Sequence, residues 1–172
     1  MNRGLIHLYI GKGKGKTTAA CGLTLRAHGA GRKACFVRFL KPRPSSEILM
    51  LKRLKIDVVS FKEKHPFFYK AASIEALRDK VLRDIKKTEK IIRDRNYNFI
   101  VLDELLYLYS EKLISEHDIV RLIGLKPKDT ELVITGVSAT KTMIKLADYV
   151  STIDDTKHPF KRGIKARPGI EF

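Results

Sequence analysis

Residues 5–20 constrain this chain more than any other stretch. Leu5-Ile6-His7-Leu8-Tyr9-Ile10 is followed by Gly11-Lys12-Gly13-Lys14-Gly15-Lys16 and then by Thr17-Thr18-Ala19-Ala20. The apolar run reads as a buried strand, the glycines as a loop, and the residues from Thr17 as a helix ending near Gly29 or Gly31. Strand, glycine-rich loop, Lys-Thr and helix is the order of a phosphate-binding P-loop. Glycines let backbone N–H groups converge on phosphate oxygens, and the helix N-terminus adds positive potential. Lys16 would reach phosphate oxygens and the Thr17 hydroxyl would sit on Mg²⁺. The usual spacing places four residues between the two glycines, whereas Gly11 and Gly15 enclose three, and Ile10 stands where the first glycine would be. The shortening implies that phosphates are held in an unusual way. A glycine-rich turn with solvated lysines is the plain alternative, and the strand before and helix after weigh against it.

The rest of the chain alternates strands with helices. Ala34–Leu40 reads as a second strand, broken by Pro42, Pro44, Ser45 and Ser46. A short helix over Ile48–Leu54, a third strand over Ile56–Phe61 and a polar loop Lys62–Pro66 lead to the aromatic run Phe67-Phe68-Tyr69. Ile74, Leu77, Val81, Ile85 and Ile92 recur at the spacing of one helical face between Ser73 and Arg95. That helix is otherwise charged, which sets it on the outside of a sheet. Phe99–Leu102, Glu131–Thr135 and Tyr149–Ile153 read as strands, with a helix over Ala139–Ala147. Residues 105–130 carry no element in this reading, and no internal repeat or linker is visible. The expectation is one α/β domain over residues 1–172, P-loop NTPase-like (RecA-like), with a mainly parallel sheet and helices on both faces. A basic tail, residues 154–172, closes it.

Composition bounds the function. A chain of 172 residues and 19.6 kDa with 44% hydrophobic and 31% charged residues is globular. Thirty-five Lys and Arg stand against 19 Asp and Glu, a formal net charge of +16, which favours anionic partners. No apolar stretch approaches the ~18 residues of a membrane span. Met1-Asn2-Arg3-Gly4 runs into the first strand, so no cleavable signal peptide is expected. Cys21 and Cys35, with no CxxC, argue against a disulfide scaffold or a Cys-based zinc site and suggest a reducing, cytoplasmic setting.

Phe99-Ile100-Val101-Leu102-Asp103-Glu104 resembles a Walker B strand. A carboxylate at the C-terminal end of a parallel strand beside a P-loop can bind Mg²⁺ directly or through water. The alternative is that Asp103 only caps the following helix.

These residues resemble the P-loop ATP:cob(I)alamin, or corrinoid, adenosyltransferases over nearly the whole chain. Gly11–Ala20 is similar to the family's shortened loop, Arg26-Ala27-His28-Gly29-Ala30-Gly31 to its helix end, and Phe36-Val37-Arg38-Phe39-Leu40-Lys41 to its second strand, with Arg38 where glutamine is usual. Val101-Leu102-Asp103-Glu104-Leu105 is similar to its acidic strand end. The C-terminus carries the most specific likeness: Leu146-Ala147-Asp148, Lys157-His158-Pro159-Phe160, Gly163-Ile164-Lys165-Ala166 and Gly169-Ile170-Glu171-Phe172. The resemblance implies that Co(I) of a reduced corrinoid, cob(I)alamin or a precursor, attacks C5′ of ATP and inorganic triphosphate leaves. It implies ATP held in reverse in the loop, with Gly11, Lys12, Gly13, Lys14, Gly15, Lys16, Thr17 and Thr18 as ATP contacts. Thr17 and Glu104 would be the Mg²⁺ contacts, with Asp103 close by, and Lys16, Thr17 and Glu104 would carry the catalysis. Arg38, Phe67, Phe68, Tyr69, His158 and Phe160 are candidates for the corrinoid side. A homodimer and a flavoprotein reductase that supplies Co(I) are further implications.

Departures from the family's pattern fall mostly on that corrinoid side. The chain begins almost at the first strand, without a basic N-terminal arm. Gly136 is followed by Val137-Ser138, and Lys161-Arg162-Gly163 replaces Asp-Ala-Gly. On general grounds Phe67-Phe68-Tyr69 reads as core packing; the resemblance offers a corrinoid platform instead. His7 reads as a satisfied core histidine, His28 and His65 as helix-end and loop residues, and His158 as a structural hydrogen-bonding residue. The cysteines read as small buried hydrophobes. Lys157, Lys161, Arg162, Lys165 and Arg167 would lie over the site. Two rival functions remain at this level. One is a small P-loop kinase or ATPase, which would make ADP, although no Arg-bearing lid is identifiable. The other is a RecA-like nucleic-acid-binding protein, which the lack of room for a DNA-binding domain disfavours.

Overall fold

The computed structural model describes residues 3–43, 45–70 and 73–171; Met1, Asn2, Pro44 and Phe172, which enter the reading above, lie outside the described residues, as does the side chain of Lys161. Strands β1 (Ile6–Ile10), β2 (Ala34–Arg38), β3 (Asp57–Ser60), β4 (Phe99–Asp103), β5 (Glu131–Thr135) and β6 (Tyr149–Thr152) form one sheet in the order β3-β2-β4-β5-β1-β6. Every pairing is parallel, with Val37 opposite Leu102, Leu102 opposite Ile134, and Leu8 opposite Ile134. Helices α1 (Lys16–Gly29), α2 (Ser46–Arg53), α3 (Ile74–Arg93), α4 (Leu105–Ser110), α5 (Glu116–Gly124) and α6 (Lys141–Leu146) connect the strands.

The period-two alternation of the strands divides the core into two layers. Cys35, Val37, Ile100, Leu102, Leu132 and Ile134 face one way, against Leu77, Val81, Ile85 and Ile92 of α3 and the apolar residues of α4 and α5. Ala34, Phe36, Phe99, Val101 and Val133 face the other, against Ala20, Cys21 and Ala27 of α1 and Ile48 and Leu51 of α2. Each fully buried Leu, Ile, Val or Phe in such layers contributes about 1.5–3 kcal/mol. The parallel α/β fold with both faces covered is the one expected.

Two helices occupy the stretch without an assignment. Helix α5 starts at a capping box in which the Ser115 side chain accepts from the Asp118 amide and the Asp118 carboxylate accepts from the Ser115 amide. Helix α4 is one short apolar turn and a half, with Leu105, Leu106 and Leu108 all buried, so it shows no amphipathic period. Helix α3 also buries Asp84 and Thr88, polar residues that its apolar spacing does not flag.

The aromatic run needs correction. Phe67 is 84% and Phe68 70% exposed, so neither packs a core; Tyr69 alone leans on the apolar layer. His7 is satisfied as expected, 2.6 Å from Glu131 and stacked on Tyr149. Both cysteines are buried, and burial pushes each thiol up to about 12.

Candidate active site

In a parallel sheet the strand ends that carry loops to the next helices gather at one edge, and ligands bind there. Ile10, Arg38, Asp103 and Thr135 all end strands on this edge, and the loop Gly11–Gly15 leaves from the end of β1, between β5 and the outer strand β6. Gly11 and Gly15 take φ of 116° and 121°, a region that side-chain-bearing residues rarely enter. A Cβ on Gly11 would meet the Ile153 carbonyl oxygen at 2.3 Å, and one on Gly13 would meet Asp154 backbone at 2.6 Å. The loop is thus clamped against the segment after β6. The Gly13 amide donates to the Ile153 carbonyl, and the Lys12 and Lys14 amides donate to the carboxylates of Asp154 and Asp155. Helix α1 begins at Lys16 with no side-chain cap, the arrangement in which a phosphate serves as the cap.

Lys16 folds over this loop and donates to the Gly13 carbonyl at 2.7 Å. Lys14 reaches Glu171, which Arg167 also grips, so the C-terminal tail does come over the loop. Among the described side chains of the tail's basic residues, Arg167 is in that latch.

Asp103 is fully buried and accepts from three side chains: Thr17 Oγ1 at 2.9 Å, Thr135 Oγ1 at 2.8 Å and Lys41 Nζ at 3.2 Å. It is therefore no mere helix cap. Helix α4 is capped by Glu104, which sits at φ 64° and donates its amide to Thr135 Oγ1. Lys41 Nζ also lies 2.9 Å from Thr17 Oγ1 and 2.8 Å from Glu104 Oε1. Burial works against its charge, but Asp103 and Glu104 outweigh that and hold its pKa above the usual lysine value. Thr17, Asp103 and Glu104, predicted from sequence to share a cation, thus meet around one ammonium group.

Lys41 and Thr135 escape the sequence reading. Thr135 carries a signal, as the last residue of a strand before Gly136 at the ligand edge. Lys41 has none of that kind, because it stands in an irregular stretch between β2 and α2.

Arg38 ends β2 opposite Asp103 in register and is 2% exposed. Burial pulls its pKa down, and its contacts are long, 3.4 Å to the Arg43 carbonyl and 3.3 Å to Ser45 Oγ. Among the described residues no hydrogen bond or ring contact joins it to Phe67, Phe68, Tyr69, His158 or Phe160, the other corrinoid-side candidates.

One repeat escapes the sequence reading. Lys64-His65-Pro66-Phe67 and Lys157-His158-Pro159-Phe160 are the same tetrapeptide. Each folds into a single 3₁₀ turn whose histidine Nδ1 accepts from the phenylalanine amide, at 3.1 Å in both. Each presents its phenylalanine outward, Phe160 at 75% exposure. The first follows β3 and the second follows β6, the two opposite edge strands. His65 is further tied to the Tyr107 hydroxyl on α4, three residues beyond Glu104.

Residues 2–172 match the family profile described as ATP:corrinoid adenosyltransferase BtuR/CobO/CobP. The chain belongs to that family. It is 29% identical over 173 residues to the corrinoid adenosyltransferase of Escherichia coli K12, covering 99% of this chain and 86% of the relative. The corrinoid adenosyltransferase CobA of Salmonella typhimurium LT2 is also 29% identical over 173 residues, with the same coverage. A Sinorhizobium corrinoid adenosyltransferase is 33% identical over 174 residues, covering 99% of this chain and 81% of that one. Among the described residues no helix is long and apolar enough to cross a membrane.

Proposed function

We propose that this site binds ATP along the loop Gly11–Thr18 and transfers its 5′-deoxyadenosyl group to Co(I) of a reduced corrinoid, releasing inorganic triphosphate. The observation that carries the reading is the shortened loop lying beside Asp103 and Glu104 at the ligand edge, in a chain of the adenosyltransferase family. A cobalt lone pair forms the Co–C5′ bond while the C5′–O bond breaks. That bond's electron pair leaves on the triphosphate, and cobalt passes formally from Co(I) to Co(III). The nucleophile belongs to the substrate, so the protein's work is positioning and charge stabilisation.

Backbone amides at the start of α1, with Lys14 and Lys16, face the negative charge that builds on the leaving triphosphate. Thr17, Asp103 and Glu104 offer oxygen donors of the kind Mg²⁺ takes, and they already accept a cation, the Lys41 ammonium, so the set fits the ion. Mg²⁺, when bound, neutralises part of the triphosphate charge. Asp103, held by two hydroxyls, orients Thr17, while Glu104 holds the Lys41 ammonium. Arg38, Phe67, Phe68, Tyr69, His158 and Phe160 serve the corrinoid side, and residues 1–172 act as one catalytic unit. A cytoplasmic setting, a homodimer and a flavoprotein that delivers the electrons complete the reading.

The test is to mix the protein with ATP, Mg²⁺ and chemically reduced cob(I)alamin without oxygen and follow the corrinoid spectrum. A light-sensitive alkylcorrinoid is expected; an unchanged spectrum with ATP consumed overturns the assignment.

A further inference from the structure

Among the described residues, five other than glycine adopt positive φ: Leu40, Lys55, Arg95, Glu104 and Lys112. Lys55, Arg95 and Lys112 each stand just after the C-cap of a helix, where the chain turns off and a left-handed residue is ordinary. Leu40 and Glu104 have no such role. Leu40, at φ 56°, immediately precedes Lys41, and Glu104, at φ 64°, receives it. The two left-handed residues outside helix C-termini thus adjoin and form one ion pair, Leu40 next to Lys41 and Glu104 as its partner.

The geometry of that pair matters because of what else belongs there. Lys41 Nζ lies 2.9 Å from Thr17 Oγ1, 3.2 Å from Asp103 Oδ2 and 2.8 Å from Glu104 Oε1. A group within hydrogen-bond reach of all three oxygens fills the space of an ion bound to them, since Mg²⁺ sits about 2.0–2.1 Å from its ligands. Ammonium and metal cannot share it. Metal arriving alone would have to strip the carboxylates from Lys41 and leave that ammonium beside a divalent ion. Metal arriving with a polyphosphate brings a new anion for the displaced ammonium, and phosphate oxygens complete its own shell.

We propose that Lys41 is a built-in counter-ion that closes the Thr17–Asp103–Glu104 set to divalent cations until nucleotide arrives, and then turns to the phosphate chain. Metal and nucleotide therefore enter this site together, each raising the affinity for the other. The proposal rests on reading Thr17, Asp103 and Glu104 as metal contacts, and it is independent of which bond of ATP breaks.

The experiment titrates Mn²⁺, followed by electron paramagnetic resonance, into the nucleotide-free protein and into Lys41→Met and Lys41→Arg. Wild type and Lys41→Arg are expected to bind Mn²⁺ weakly alone and at least tenfold more tightly with a non-hydrolysable ATP analogue. Lys41→Met is expected to bind Mn²⁺ alone at least tenfold more tightly than wild type. Its thermal midpoint should rise with Mn²⁺ in the absence of nucleotide, which also reports that the variant folds. Adding Glu104→Gln to Lys41→Met should abolish the gain. Equal Mn²⁺ affinity in wild type and Lys41→Met, or a gain that survives Glu104→Gln, overturns the proposal. A protein that passes this test yet makes ADP keeps the counter-ion and loses the transferase.

Discussion

Thr135 donates its hydroxyl to the buried carboxylate of Asp103 at 2.8 Å, across adjacent strands β5 and β4. The same oxygen accepts the amide of Glu104, so one hydroxyl fixes both acidic residues of the site. Replacing it with an isosteric valine leaves a buried carboxylate short of a donor and an amide short of an acceptor. Thr135→Val is expected to cost about 1–3 kcal/mol of stability by urea unfolding. Thr135→Ser should keep most of both stability and activity.

Lys16 lies against its own loop on the Gly13 carbonyl, where it is poised to exchange that oxygen for a phosphate oxygen. Lys16→Ala is expected to lower kcat/KM for ATP on the order of 10²-fold or more, the scale of a lost oxyanion donor. A near-normal rate would remove Lys16 from the mechanism. Glu104→Gln should lower activity with the fold intact, and an unchanged Mg²⁺ requirement at normal rate would exclude it as a ligand.

The two Lys-His-Pro-Phe turns present Phe67 and Phe160 from opposite edges of the sheet. Neither ring stabilises a core, since both are largely exposed. Phe67→Ala and Phe160→Ala should therefore leave the thermal midpoint unchanged and raise KM for the corrinoid. Covering one phenylalanine is worth about 1.5–3 kcal/mol, or roughly 10–100-fold in affinity. KM for ATP should stay constant in steady-state kinetics. A fall in stability without a change in corrinoid KM would return both rings to a structural role.

Asp84, buried on α3, is pushed up to about 6 by burial first and then by the Glu63 carboxylate, against the pull of Lys87. Its value in the unfolded chain is about 3.9. Between those values the folded state holds more protons than the unfolded one, so stability falls as pH rises from about 4 to about 6. The loss from this group is complete above the folded value. Asp84→Asn should flatten the stability curve across that window and leave the protein at pH 7 no less stable than wild type, as measured by urea unfolding at several pH values.

What was legible in the sequence follows from how locally each feature is specified. Strands such as Phe99–Asp103 and Glu131–Thr135 announce themselves as short apolar runs, and α3 by its period, because burial on a sheet or a helix face dictates the residue pattern. Lys16, Thr17, Asp103 and Glu104 stand out because glycine-loop and strand-end chemistry is written in consecutive residues. Helix α4 stayed hidden because its residues are buried nearly all round. Phe67 and Phe68 misled because aromatic side chains normally buy burial, and only their turn, capped by His65, turns them outward. Lys41 was invisible for a different reason. Its role comes from a long side chain reaching from the stretch after β2 to Asp103, 62 residues on in sequence, and no local pattern records that reach.

The central claim is cleavage at C5′ of ATP, and phosphorus product analysis tests it most directly. Protein, Mg²⁺, ATP and an excess of cob(I)alamin would be combined anaerobically, and the phosphorus products identified by ³¹P NMR while the corrinoid spectrum is recorded. The account predicts inorganic triphosphate, formed mole for mole with the light-sensitive alkylcorrinoid. ADP and phosphate, with the cob(I)alamin spectrum unchanged, would contradict it.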